Sequence, residues 1–102
     1  MVVDDHEIVR AGLEVLLRPP YRVVASVGTA SDAIAATSQV QPHIVLLDVR
    51  LPDCSGIDAV EPILKAAPRT RVVMLSTHEE PAWARAAVEA GAVGYLVKDA
   101  DQ

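Results

Sequence analysis

The sequence predicts an α/β domain built on a doubly wound, five-stranded parallel sheet. Three observations predict it. Short runs rich in Val, Ile and Leu alternate with Ala-rich amphipathic stretches along the 102 residues, the pattern of parallel strands joined by crossover helices. The run Ile44-Val45-Leu46-Leu47 is apolar throughout, as suits a strand buried in a parallel sheet. Turn and stop residues stand between the runs, among them Pro19-Pro20, Gly28-Thr29, Pro52 and Gly91.

Taken in order, residues 1–3 form a short strand. Residues 6–17 place Ile8, Val9, Leu13, Leu16 and Leu17 largely on one helical face, with Arg10, Glu14 and Arg18 elsewhere. Pro19 and Pro20 end that helix. Residues 21–27 are β-rich. Gly28 and Thr29 mark a turn, and Ser31 is the expected N-cap of a helix reaching about residue 40. Residues 43–48 form the third strand, and 51–55 a loop holding Pro52. A helix follows over residues 56–67. Pro62 lies inside it, and an interior proline costs about 3 kcal/mol, so a late start or a kink is expected. Residues 71–75 form the fourth strand. Glu79-Glu80-Pro81 opens the last helix, with acidic residues at the positive end of the dipole and proline in the first turn. Gly91 closes it, and residues 92–97 form the fifth strand. Alternation alone leaves several strand orders open. We adopt the flavodoxin-like order 2-1-3-4-5 among the doubly wound arrangements.

Composition narrows the function classes. Nine Lys and Arg face fourteen Asp and Glu, a formal charge of −5 with His neutral. Such a chain lacks the basic face needed to grip DNA, RNA or an anionic membrane by itself. Hydrophobic residues make up 51% and charged residues 23%, a globular balance. With no Phe, one Trp and two Tyr, the core is aliphatic. Cys54 is the single cysteine. It excludes an internal disulfide framework and fits a reducing, cytoplasmic setting. No apolar run approaches the roughly 18 residues of a membrane span. Met1 leads almost at once into two aspartates, so no signal peptide is expected.

The polar residues gather at one edge. In open α/β sheets, ligands bind beyond the carboxyl ends of the strands, at the switch point. Asp4 and Asp5 follow the first strand, and Asp48 closes the third. Ser76 and Thr77 follow the fourth, and Lys98 the fifth. In the adopted order the first and third strands are neighbours, so Asp4, Asp5 and Asp48 are expected to meet. Three ionised carboxylates repel, so either a pKa rises or a cation enters. Oxygen ligands select a hard cation, and Mg²⁺ suits one or two carboxylates, a backbone carbonyl, waters and a phosphoryl oxygen. Lys98 brings a mobile point charge able to hold a phosphate, and the Ser76 hydroxyl offers a further contact. A carboxylate beside Mg²⁺ and Lys can act as a nucleophile and become an aspartyl phosphate.

These residues resemble a known family. Asp4-Asp5, Val45-Leu46-Leu47-Asp48-Val49-Arg50-Leu51-Pro52-Asp53-Cys54-Ser55-Gly56, Val72-Val73-Met74-Leu75-Ser76-Thr77 and Gly94-Tyr95-Leu96-Val97-Lys98-Asp99 look like the receiver domain of two-component response regulators. Asp4-Asp5-His6-Glu7 and Gly94-Tyr95-Leu96-Val97-Lys98-Asp99-Ala100 resemble the NarL/FixJ (LuxR-type) transcription-regulator branch. Each motif alone is weak. Several in order, each at a strand end, are specific.

The resemblance implies a function and a role for each residue. Asp48 matches the phosphoacceptor. Asp5 matches a direct Mg²⁺ ligand, Asp4 its partner through water, and the Arg50 backbone carbonyl a further protein ligand. Lys98 matches the phosphate-contacting lysine, and Ser76, with Thr77 beside it, the hydroxyl that bonds the phosphoryl group. Tyr95 matches the aromatic that turns inward with Ser76. Arg50 and His78 match positions that tune phosphate lifetime, and bulky Arg50 is expected to shield the acyl phosphate from water. The donor is a sensor histidine kinase or a small acyl phosphate. The chain is then a signalling switch for transcription regulation that catalyses only its own phosphorylation and dephosphorylation. Signalling is a population shift of the loop after the fourth strand, the helix over 80–90 and the Tyr95 face. A receiver usually carries a fifth helix where residues 99–102 stand. Residues 1–102 are therefore expected to be a receiver domain truncated at both ends, with its DNA-binding output domain outside this sequence. The sheet face shared with the first helix is then expected to lie partly bare, which invites instability, or homodimer formation or other self-association. Lys98-Asp99 replaces the Lys-Pro of many receivers, a trait of the same branch.

Other readings stand beside this one. Asp4-Asp5 suits a helix N-cap, Lys98 a solvated strand end, Ser76 an ST-turn, Tyr95 packing, and Trp83 either core or a partner-facing anchor. Only their shared location raises the functional reading above these. His6, His43 and His78 with Asp4 and Asp5 lack the ligand spacing of a transition-metal site. A Mg²⁺-dependent phosphohydrolase wants a second acid/base carboxylate two residues after the nucleophile, where Arg50 stands. A pseudo-receiver that is never phosphorylated stays open, although Asp5, Asp48 and Lys98 argue against it.

Overall fold

The computed structural model describes residues 1–77 and 80–98. Strands and helices alternate: β1 (Val2–Val3), α1 (Glu7–Leu17), β2 (Ser26–Val27), α2 (Ala30–Val40), β3 (Ile44–Asp48), α3 (Gly56–Ala66), β4 (Arg71–Ser76), α4 (Pro81–Ala90) and β5 (Gly94–Val97). All strand pairs are parallel, in the order β2-β1-β3-β4-β5. The adopted order is therefore the observed one. Four helices lie among the described residues. The place of a fifth, residues 99–102, lies outside them, as do His78 and Glu79.

Topology decides which face each helix covers. From β1 the chain steps outward to β2. From β2, β3 and β4 it steps the other way. Right-handed crossovers then put α1 on one face and α2, α3 and α4 on the other. Accordingly α2 packs on α3 and α3 on α4, while α1 lies against β1. Val45, Leu47, Val72 and Met74 point to the three-helix face and pack with Ala33, Ala59, Val60, Ile63 and Ala87. Tyr95 pairs with Met74 in register and joins the same cluster.

The other face is thinly covered. No residue of α1 is buried. Ile8 is 87% exposed and Leu16 79%, while Val9, Leu13 and Leu17 are half-buried. This departs from a β3 buried on both faces: Ile44 is 39% exposed, because among the described residues only α1 lies over its side of the sheet.

Three local expectations are corrected. The β-rich stretch 21–27 forms a strand only at Ser26–Val27. Its partner β1 has two residues, paired Val2 with Ser26 and Val3 with Val27, so residues further back have no strand to join. Thr29, not Ser31, caps α2: its hydroxyl accepts the Asp32 N–H at 3.0 Å, and Ser31 already lies inside the helix. Pro62 does not delay α3, which starts at Gly56. The carbonyl deprived of its partner belongs to exposed Asp58, where water can serve it. Pro81 in the first turn and Gly91 at the end of α4 stand as read, with Gly91 at φ 120°.

Candidate functional site

The site is assembled by strand ends. The register sets Val3 beside Val27 and Leu47, so Asp4 leaves β1 next to Asp48 at the end of β3. Asp4 is fully buried and Asp48 is 6% exposed. Burial of two carboxylates requires partners. Lys98, just past β5, provides them. Its ammonium donates to Asp4 Oδ2 and, at 3.2 Å, to Asp48 Oδ2. The other oxygens are held by backbone: Asp4 Oδ1 accepts the His6 N–H at 2.9 Å, and Asp48 Oδ1 accepts the Arg50 N–H at 3.3 Å.

Charge and burial push the groups in different directions. Burial raises the Asp4 pKa, but the Lys98 hydrogen bond, the His6 N–H and the Lys98 charge outweigh it, and the pKa falls. Burial also raises the Asp48 pKa. The Lys98 charge opposes this and the Asp4 charge adds to it, and the pKa rises. Burial disfavours the Lys98 ammonium, but the Asp4 hydrogen bond and the Asp48 charge hold its pKa above the usual lysine value.

Asp5 is exposed and lies 3.0 Å from His6 Nδ1. One ligand atom from each of Asp4, Asp5, His6 and Asp48 falls within 4.8 Å of the others. Lys98 takes one oxygen of Asp4 and one of Asp48. Asp48 Oδ1 and the Asp5 carboxylate remain as oxygen donors beside it, a set that suits a hard divalent cation.

Asp4, Asp5, Asp48 and Lys98 thus converge. Ser76 is buried at the end of β4 and Thr77 is exposed just beyond it. The Val49 N–H donates to the Leu75 carbonyl, and the Lys98 N–H to the Ser76 carbonyl, so the ends of β3, β4 and β5 are stitched together at this edge. Tyr95 sits within β5, packed on the three-helix face. Arg50 uses its backbone at Asp48, while its side chain lies over the Trp83 ring. His78 lies outside the described residues.

Four features were missed from the sequence. His6 joins the carboxylate cluster of Asp4, Asp5 and Asp48. Arg10 donates from α1 to the Asp4 carbonyl. Asp53 accepts the Ala30 and Ser31 N–H groups, each at 2.9 Å. Gly56 presses against the Asp48 backbone. Only Gly56 had a local signal, a glycine where an acceptor loop turns into a helix.

Comparison with known proteins gives a consistent set. The family model described as the response regulator receiver domain matches residues 1–102. The DNA-binding transcriptional activator DevR/DosR of Mycobacterium tuberculosis is 40% identical over 100 residues, covering 96% of this chain and 46% of that protein. The chain spans about half the length of the curated relatives it matches. A LuxR-family two-component response regulator from Aurantimonas superposes with a TM-score of 0.91 at 40% identity, covering 99% of this chain and 74% of that one. A response regulator from Burkholderia pseudomallei, solved with a phosphorylated aspartic acid, a calcium ion and citrate, gives 0.90 at 26% identity, covering 98% and 59%. Among the described residues, no helix is long and apolar enough to cross a membrane.

Proposed function

We propose a function from the premise that this chain belongs to the response regulator receiver domain family: Asp48 accepts a phosphoryl group and the domain passes that state to a transcription output. One observation carries the reading. The Lys98 ammonium bridges buried Asp4 and Asp48 at the sheet edge, leaving Asp48 Oδ1 and Asp5 beside it. Ion pairing for stability alone would not need a third carboxylate at the same point, because added like charge is costly.

An Asp48 oxygen attacks the phosphorus of a phosphohistidine on a sensor kinase, or of a small acyl phosphate. The bond to phosphorus forms as the bond from phosphorus to the donor nitrogen or oxygen breaks, and the donor leaves with the electron pair. The product is a mixed anhydride on Asp48. Lys98 holds a phosphoryl oxygen as a fixed cation. Ser76 and Thr77 are the hydroxyls at the end of β4 that bond the phosphoryl group, and Tyr95 follows Ser76. Asp5, Asp48 and the Arg50 carbonyl would hold Mg²⁺, with Asp4 acting through water. When bound, Mg²⁺ neutralises charge on the phosphoryl oxygens. That the Burkholderia protein carries a phosphorylated aspartate and a calcium ion supports this reading, and the transcriptional role of DevR/DosR supports the output.

The test is intact-protein mass after incubation with Mg²⁺ and acetyl phosphate. One added phosphoryl group is expected, lost in Asp48→Asn and in EDTA. A folded chain that gains no mass would return the reading to an unphosphorylated interaction module.

A further inference from the structure

The loop after β3 also makes a contact with α4 that phosphoryl transfer does not use. The Arg50 guanidinium carbon lies 5.7 Å from the centroid of the Trp83 ring, inside the roughly 6 Å over which an aromatic face attracts a cation. Trp83 belongs to α4. Both residues line an open cavity of about 560 Å³, together with Leu51, Cys54 and Ile57. Among the described residues, no carboxylate lies within ion-pair distance of this guanidinium. The Arg50 backbone N–H meanwhile donates to Asp48 Oδ1 at 3.3 Å. Arg50 therefore touches the acceptor carboxylate with its main chain and α4 with its side chain.

We infer that Trp83 is a positioning residue that holds the Arg50 guanidinium away from the acceptor, and that phosphorylation of Asp48 draws Arg50 off the ring and onto the phosphoryl oxygens. This rests on the reading of Asp48 as phosphoacceptor. The Arg50 main chain is anchored at the Asp48 carboxylate, so a phosphoryl group there comes within reach of the arginine side chain. A guanidinium matches phosphate oxygens in a bidentate fork, and such charge-assisted bonds are the strong ones. The ring is half-buried but the guanidinium over it is exposed, and attraction of a solvated cation to a ring is weaker, so a phosphoryl group competes successfully. The ring still takes its share. By linkage, whatever stabilises Arg50 on Trp83 disfavours Arg50 on the phosphoryl group to the same degree.

Two consequences separate this from a packing role. The acyl phosphate is lost when a water oxygen bonds phosphorus as the bond from phosphorus to the Asp48 oxygen breaks, leaving the carboxylate, inorganic phosphate and a proton. Arg50 on the phosphoryl oxygens obstructs that water. Removing the ring frees Arg50 to stay there, so Trp83→Leu lengthens the phosphate lifetime by about two- to fivefold, the range set by a cation–π contact whose cation stays in solvent. Trp83→Phe keeps a weaker ring and falls between. In an Arg50→Ala background, which retains the backbone N–H, Trp83→Leu changes nothing further. Trp83 is also the single tryptophan, so its emission reports departure of the guanidinium.

The experiment loads the 102-residue chain with acetyl phosphate and Mg²⁺, confirms loading by intact mass, and records tryptophan emission and the decay of the phosphorylated mass. Expected are an emission change on loading that Arg50→Ala abolishes, and the ordered lifetimes above. Loading without an emission change, an equal change in Arg50→Ala, or a shorter lifetime in Trp83→Leu would overturn the inference and leave the phosphoacceptor reading intact. Absence of loading overturns both. If Trp83→Leu fails to fold, Trp83→Phe and the emission arm decide.

Discussion

A methyl group added at Gly56 would stand 1.9 Å from the backbone carbonyl oxygen of Asp48. The Gly56 N–H also donates to the Val49 carbonyl at 2.6 Å, so the loop after β3 closes back on the end of its own strand. The obstacle is backbone and cannot rotate away. Gly56→Ala should therefore cost about 2–4 kcal/mol, at or above the usual range for overpacking. Urea denaturation checks the loss. Intact mass should show poorer phosphoryl loading, because Asp48 itself must move.

Asp48 itself is expected to cost stability. Burial, more than the opposing Lys98 charge, raises its pKa, and Asp4 adds to the rise. An acid with a raised folded pKa contributes stability that is complete below the unfolded value, about 4, and is lost as pH rises through the folded value. Asp48→Asn should therefore melt higher than the parent chain at pH 7, and the gain should vanish near pH 3. Thermal melts at the two pH values decide this. A lower melting temperature for Asp48→Asn at pH 7 would show that its pairing with Lys98 outweighs burial.

How much of this was legible depends on whether a residue's role is set by its own neighbours in the chain. Asp4, Asp48 and Lys98 each end an apolar run, so strand order alone brings them together. The extent of β2 is set by its partner: two residues of β1 allow two rungs, and nothing in residues 21–25 announces that. Thr29 and Ser31 are equivalent caps by composition. In the structure Thr29 accepts the Asp32 N–H, while Ser31 lies inside the helix with its N–H on Asp53, 22 residues away. The Arg50–Trp83 contact likewise joins two segments with no local signal of each other. The exposure of Ile8 and Leu16 follows from which helices share a face, a property of the whole topology.

Lys98 should prove structural as well as functional. Lys98→Met removes the cation that holds fully buried Asp4 and its neighbour Asp48. Breaking a buried pair costs about 3–5 kcal/mol. Lys98 keeps 21% side-chain exposure, so about 1–3 kcal/mol is expected after allowing for solvent screening. Chemical denaturation at neutral pH measures it. The loss should be smaller in Lys98→Met/Asp48→Asn, where one of the opposed carboxylates has gone. Equal losses in both backgrounds would mean that the two sites do not interact.

Asp53 ties the acceptor loop to α2. Its two carboxylate oxygens accept the Ala30 and Ser31 N–H groups, while Thr29 serves Asp32. Side chains thus satisfy three of the N–H groups that a helix start leaves open. The Ala30 and Ser31 bonds hold the Asp53 pKa below the usual aspartate value. For an acid with a depressed folded pKa, the stabilisation is present above the unfolded value, about 4, and disappears as pH falls through the folded value. Asp53→Ala should therefore lower the melting temperature at pH 7, and the difference from the parent chain should close as pH falls below about 3. Asp53→Asn keeps an oxygen acceptor and should recover part of the loss. Amide hydrogen exchange at Ala30 and Ser31 locates the effect: faster exchange there in Asp53→Ala is expected, and unchanged exchange would show that the loop does not hold the start of α2.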